Sequence, residues 1–191
     1  MGCDIVLNQF WEKSEYCIII INELLYIMEK EILELEIENY TIDKDKLKIP
    51  FLYETWTWEG DESVLPYKWT NLIKTSNLKI SNQINLQNEN DFNNMKSYLK
   101  EHYYGKKNFD KQSFFFITYR SDVAACAYID VNNNNTVDYF LVNQKHIGKN
   151  VEEGLLYLIL NRAKKLKLKT IKVNTTLTNI PSFFFKEIGF K

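Results

Sequence analysis

The chain has 191 residues, of which 45% are hydrophobic, 15% aromatic and 26% charged, with a formal net charge of −1. That length accommodates one compact domain, with or without an extension. Near-neutrality excludes a whole-protein electrostatic commitment to nucleic acid or anionic lipid.

Cys3, Cys17 and Cys126 are widely spaced and form no CxxC pair. They suggest neither a disulfide framework nor a zinc site, so a reducing, cytoplasmic location is expected. The apolar run from Tyr16 to Ile21 meets Asn22 and Glu23 at once and is too short to span a bilayer. Gly2 and Cys3 sit where a lipidation signal begins, but Val6 stands where myristoylation takes Ser or Thr. No membrane attachment is expected.

Residues 13–39 predict one long helix. Ile18, Ile21, Leu25, Met28, Ile32 and Leu35 recur at helical spacing, with Glu29, Glu31, Glu34 and Glu36 largely off that seam. The seam packs either on its own domain or on a second copy as a homodimer contact. A polar connector follows over 41–46. Residues 51–58 are aromatic and β-branched and predict a strand, 59–63 a turn, and 64–69 a second extended piece that Pro66 confines to an edge.

From 78 to 86 a broken strand is expected. Asp91 then caps a helix with Phe92, Met95, Leu99 and either His102 or Tyr103 along one side. Strands over 114–119, 123–131 and 136–142, joined by short polar turns, predict an antiparallel meander. A helix over 151–165 buries Leu155, Leu156, Leu158, Ile159 and Ala163. The strand at 168–173 should lie parallel to the one ending at Val142, because it follows a strand–helix passage. Pro181 suits the first turn of a last short helix. The order is that of an α/β fold with a mixed central sheet flanked by helices.

The polar loop from Asn143 to Asn150, with Gly148 inside it, joins a strand to a helix N-terminus. Such a junction offers unpaired N–H groups to an anion. This loop, the helix ending in Asn161, Arg162 and Ala163, and the closing stretch from Asn179 through Phe183, Phe184, Phe185, Gly189 and Phe190 resemble the GNAT superfamily of N-acetyltransferases. The likeness covers residues 78–191 and is best over 123–191. It implies a GNAT-like domain at 78–191, preceded by an N-terminal extension at 1–77 made of the long helix and a β-hairpin.

The resemblance further implies acetyl-CoA as cosubstrate and an amine, on a small molecule or a peptide, as acceptor. Ile147, Gly148, Lys149, Asn150 and Val151 correspond to the pyrophosphate loop, the amides near Leu141 and Val142 to the pantetheine contact, and Asn179 and Phe185 to the closing signature. Three departures stand out. Asn150 and Glu152 occupy places where the family has glycine or a small residue, Phe185 replaces a tyrosine that often protonates the leaving thiolate, and the chain given stops where the family continues into further strands. Asn150 tolerates left-handed backbone angles, whereas the Glu152 carboxylate comes close to the diphosphate position; Lys145, His146 or Lys149 can offset it. Residues 51–58, alone or paired with 64–69, the long helix or a second subunit are the candidates to cover the incomplete sheet edge.

Transfer to an amine needs a base and donors for an oxyanion. Asp138 is the first candidate base and Glu54 the second. Tyr139 points to the face opposite Asp138 unless a bulge intervenes. With only His102 and His146, and neither an HExxH nor a GxxxxGK[ST] motif, a catalytic metal or a nucleotide-hydrolysing loop is not expected. Cys126 reads as a small core residue. Lys164, Lys165, Lys167, Lys169 and Lys172 are a solvated face or a phosphate surface; Trp56, Trp58, Trp69, Tyr53 and Tyr67 pack a core or line an acceptor pocket. The alternative to an enzyme is a degenerate GNAT-fold binding or dimerisation module.

Overall fold

The computed structural model describes residues 31–58, 64–76, 91–120 and 122–191. The chain divides into a unit Met1–Glu31 and a compact unit Ile32–Lys191, and the account below concerns the second. The expected helix at 13–30, the turn at 59–63 and the broken strand at 78–86 lie outside the described residues.

Six strands form one mixed sheet in the order β1-β6-β5-β4-β3-β2: β1 is Ile32–Glu36, β2 Glu54–Thr57, β3 Phe114–Tyr119, β4 Asp122–Asp130, β5 Thr136–Val142 and β6 Thr170–Asn174. The meander β3-β4-β5 is antiparallel, and β6 runs parallel to β5. Helix α1 spans Val64–Thr75, α2 Asp91–Leu99, α3 Val151–Lys165 and α4 Ser182–Ile188.

The sheet buries both faces. On one side Leu155, Leu156, Ile159 and Ala163 of α3 and Phe185 of α4 pack on Val137, Phe140 and Val142. On the other, Trp69, Leu72 and Ile73 of α1 and Met95 and Leu99 of α2 meet Phe114, Phe116, Tyr128, Tyr139 and Leu141. Fully burying each of these large side chains contributes ~1.5–3 kcal/mol against exposure. Covering both faces explains why β3 reads as a continuous apolar run rather than an alternation.

Three expectations are corrected. The predicted helix 13–39 does not extend through 32–36, which form β1. There Leu33 and Leu35 alternate with Glu34 and Glu36, and the strand pairs antiparallel with β6, Leu33 opposite Val173 and Leu35 opposite Ile171. Period-two burial on a sheet edge outweighs the helical spacing of Ile32 and Leu35, and Ile32 stays exposed. Residues 64–69 belong to helix α1, with Pro66 in its first turn, where the missing N–H breaks no helical bond.

The strand within 51–58 does not complete the edge beside β6; β2 pairs with β3 at the opposite edge. The edge beside β6 is taken by β1, with a Glu34–Lys172 ion pair at 3.3 Å. Glu34 also exchanges two backbone hydrogen bonds of 2.9 Å with Lys191.

Candidate functional site

β5 and β6 pair only at Thr136–Lys172 and Val137–Val173 and then part; β5 meets the chain beyond β6 again at a single bridge between Phe140 and Thr178. At the parting β5 carries an extra residue. Cys126 faces Leu141 and Tyr128 faces Asp138, so the single residue Ala127 of β4 stands against two of β5, Tyr139 and Phe140, and Tyr139 takes φ +54°. A non-glycine residue in that region costs on the order of 1–3 kcal/mol and persists only where its surroundings over-determine it. Here they do: the Tyr139 ring is fully buried, edge-on to Trp69 at 4.7 Å and to Tyr103 at 5.6 Å.

The bulge puts Asp138 and Tyr139 on one face. Asp138 lies opposite Tyr128, whose ring belongs to the α1/α2 side, and Tyr139 packs on that same side. Asp138 is 5% exposed. Burial first, and then the charge of Asp130, push its carboxyl up to about 7, while the neighbouring Tyr103 hydroxyl and the charge of Lys106 act in the other direction. Tyr103 arrives through a π-turn, Lys100–Tyr104, that continues α2. That turn resolves the choice between His102 and Tyr103: Tyr103 is buried and His102 exposed.

The loop before α3 has a cradle's backbone. Gly148 and Asn150 have φ of +74° and +60°, and Asn150 is the helix N-cap without a side-chain capping bond. The asparagine thus keeps the left-handed turn that a glycine would make. The cradle is occupied from within. Glu152, 6% exposed, accepts the Gly148 N–H on Oε1 at 2.7 Å, and its Oε2 is buried with no hydrogen-bond partner.

Beside the loop, His146 Nδ1 and the Tyr53 hydroxyl are 2.9 Å apart. Burial, then the charge of Lys149, lower the His146 pKa, which favours a neutral ring. Ile49 and Lys48 run across α3 at Gly154, where an added Cβ would meet the Lys48 carbonyl at 3.2 Å and Ile49 Cα at 3.3 Å. The segment leading to Tyr53 therefore crosses α3 over its one glycine.

Asn179 fills the other end of the gap. Its Oδ1 accepts the Val142 N–H at 2.9 Å and its Nδ2 donates to the Val142 carbonyl at 2.6 Å, while the Thr178 hydroxyl donates to the Phe140 carbonyl at 2.6 Å.

The residues read from sequence thus separate into groups. Gly148, Lys149, Asn150 and Val151 gather at the α3 N-terminus, with Ile147 43% exposed beside them. Val142 and Asn179 meet directly. Leu141 does not share their gap: the Asn143 N–H bonds the Ala124 carbonyl, so by strand alternation Leu141 turns its backbone towards β4. Phe185 packs in the core against Phe140 at 5.1 Å and Phe190 at 5.7 Å and is fully buried. Glu54 is exposed on β2, separated from β5 by β3 and β4. Neither Phe185 nor Glu54 stands with Asp138.

Trp58 and Trp69 are core residues, Trp56 stacks on Phe116 at 4.1 Å, and Tyr67 is exposed. Cys126 is fully buried, and burial raises its thiol pKa well above the ordinary value. Lys164, Lys167 and Lys169 line an open cavity of about 340 Å³ with Ile37, Glu38 and Leu168, at the far end of α3. Among the described residues there is no group of His, Cys, Asp and Glu able to hold a metal ion, and no helix is long and apolar enough to cross a membrane.

Sequence reasoning left Tyr103 and His102 as alternatives and missed Glu152's bond to Gly148. The first choice depends on a π-turn with no sequence signature. The second had a signal, a carboxylate four residues after a loop glycine at a helix start. No family model matches the chain, and no curated protein matches it.

Proposed function

We propose that the protein is an acetyl-CoA-dependent N-acetyltransferase with a GNAT-like fold, acting on an amine of a small molecule or peptide. The observation that carries this reading is the place of Asp138: its side chain is 5% exposed beside the point where the two parallel strands part, and burial pushes its carboxyl up to about 7. A base poised near the working pH combines a large ionised fraction with useful proton affinity. The neutral amine attacks the thioester carbonyl carbon, a C–N bond forms, and the oxyanion collapses with cleavage of the C–S bond. Asp138 takes the amine's proton, and backbone N–H groups at the parted strand stabilise the oxyanion. Phe185 has no proton to give the leaving thiolate. The α3 N-terminus supplies the anion-binding end.

Two contacts favour a second reading, a degenerate binding module. Glu152 holds the Gly148 N–H, and Asn179 holds both backbone groups of Val142. Cosubstrate binding through those groups requires both side chains to move aside.

Incubation with acetyl-CoA and a panel of amines, read by release of free thiol, tests the first reading. The expected result is amine-dependent release that falls about 10²–10⁴-fold in Asp138→Asn, the usual weight of a general base. If wild type releases no thiol and acetyl-CoA leaves its melting temperature unchanged, the second reading replaces the first. Ligand at a hundred times its dissociation constant adds about 2.7 kcal/mol of stability, which such a melt detects.

A further inference from the structure

The two edges of the sheet differ. At one, Glu34 of β1 gives both of its backbone groups to Lys191. At the other, β2 pairs with β3 on one side and with no strand on the second among the described residues. The Trp58 N–H bonds the Phe114 carbonyl at 3.4 Å, so by antiparallel alternation Trp56 and Glu54 also turn their backbones to β3. Thr55 and Thr57 therefore point their N–H and C=O groups outward, and both residues are exposed. An open row of this kind is a template for another strand. β2, Glu-Thr-Trp-Thr, lacks the lysine and proline that commonly guard such an edge.

Apolar exposure gathers beside it. Phe51, at 90%, is the most exposed large apolar side chain among the described residues, and Leu52 follows it just ahead of β2. Tyr67 of α1 is exposed next to Lys68, whose ammonium lies 4.2 Å from the Trp56 ring centroid. Exposed apolar groups around an unpaired edge mark a contact surface.

The register identifies the occupant. An antiparallel copy of β2 centred on Trp56 sets Thr55 opposite the partner's Thr57 and Thr57 opposite the partner's Thr55. Each pair exchanges both N–H···O bonds, so every outward group of the two threonines is used. Centring on Thr55 instead sets Thr57 against the partner's Tyr53, whose N–H is already held by the Pro50 carbonyl at 3.2 Å. With Trp56 at the centre, Glu54 stands opposite the partner's Trp58 rather than its own copy. Lys111 holds its ammonium 5.1 Å from the Trp58 ring centroid, so a carboxylate comes to a cation at both ends of the pair. We propose that β2 is a homodimer edge, pairing with β2 of a second copy through Thr55 and Thr57 and joining two six-stranded sheets into one. A twofold contact is closed, so the assembly stops at two. The proposal does not depend on the transferase reading.

Sedimentation velocity of the full chain over a range of concentrations tests it, and the expected result is a monomer–dimer equilibrium. Thr55→Pro removes a donor that only the dimer uses. Because that N–H faces away from β3, the melting temperature of dilute protein should not change. The dissociation constant should rise on the order of tenfold or more, the weight of a lost hydrogen bond. Glu54→Lys sets a lysine against the partner's Lys111 and should also weaken the dimer, and adding Lys111→Glu should restore it. If Thr55→Pro lowers the melting temperature of dilute protein, the Glu54 and Lys111 variants alone decide. Monomer at every concentration, a dissociation constant that Glu54→Lys leaves unmoved, or growth into open assemblies overturns the proposal. So does a dimer that a normally stable Thr55→Pro leaves intact, or one that Lys111→Glu fails to restore.

Discussion

Glu152 accepts the amide proton of Gly148, four residues earlier, at 2.7 Å, and so puts a carboxylate of the chain itself where the loop's geometry favours an anion. The helix N-terminus stabilises that negative group as it would a phosphate oxygen. The residue expected from sequence to repel an anion at this loop itself supplies the carboxylate there.

Glu152→Gly should therefore separate stability from binding. The change removes a buried hydrogen bond to a carboxylate, about 1.5–3 kcal/mol, and adds about 1 kcal/mol of helix cost for glycine. The melting temperature should drop by several degrees, while the shift produced by millimolar acetyl-CoA should grow. A lower melting temperature with no gain in ligand response would mean that the freed Gly148 amide takes no anion.

Asn179→Ala strips both partners from the Val142 backbone. Leaving buried polar groups unpaired costs about 1–3 kcal/mol each, with water entry reducing the sum. Urea unfolding should show a loss of at least about 1 kcal/mol at unchanged slope. A loss below the error of the measurement would show that this side chain is not what holds β5 beside the segment after β6.

Asp138 should make stability fall as pH rises. Its carboxyl is raised from 3.8 to about 7 in the folded protein, so between those values the folded state binds the proton that the unfolded state has lost. The contribution is fully present below about pH 4 and is lost as pH rises through about 7. A shift of that size corresponds to roughly 4 kcal/mol as an upper bound. Asp138→Asn should flatten this descent in urea unfolding between pH 4.5 and 8, whereas equal pH slopes in both proteins would contradict a raised pKa.

Leu52 occupies the left-handed position of the turn closed by the Tyr53 N–H to Pro50 carbonyl bond, with φ +74° and its side chain 64% exposed. Leu52→Gly removes backbone strain worth about 1–2 kcal/mol and little buried area, against a larger loss of chain entropy for glycine. The net effect should be neutral to about 1 kcal/mol stabilising in thermal melts. Destabilisation beyond 1 kcal/mol, an order-of-magnitude threshold, would assign Leu52 a packing role that its exposure does not suggest.

The meander from 114 to 142, the helix from 151 to 165 and the parallel return strand were legible because each repeats its period for long enough to be read. Residues 32–36 were not. Their isoleucine and leucines satisfy a helical seam and a strand alternation together, and five residues are too few to choose between them. The choice is made by β6, which offers Ile171 and Val173 at strand spacing. Pro66 was misread for a related reason: it suits an edge strand and the first turn of a helix equally well.

Asp138 was visible as a candidate, but the bulge that turns Tyr139 to its side was not, since no residue there has the composition of a bulge. Phe185 was assigned to the site because the closing stretch resembles a signature, and its burial depends on Phe140 and Phe190, which come from different elements.

By itself the sequence determined the layered α/β plan, the strand–loop–helix junction ahead of α3 and the left-handed tolerance of Asn150. These follow from local periodicity and from the conformational preferences of single residues. Tertiary structure alone decided that β1 pairs with β6, that Glu152 and Asn179 satisfy the backbone groups of Gly148 and Val142, and that a bulge sets Tyr139 on the face of Asp138. Those outcomes depend on hydrogen bonds and burial between residues far apart in the chain, and no local pattern encodes which partner lies within reach.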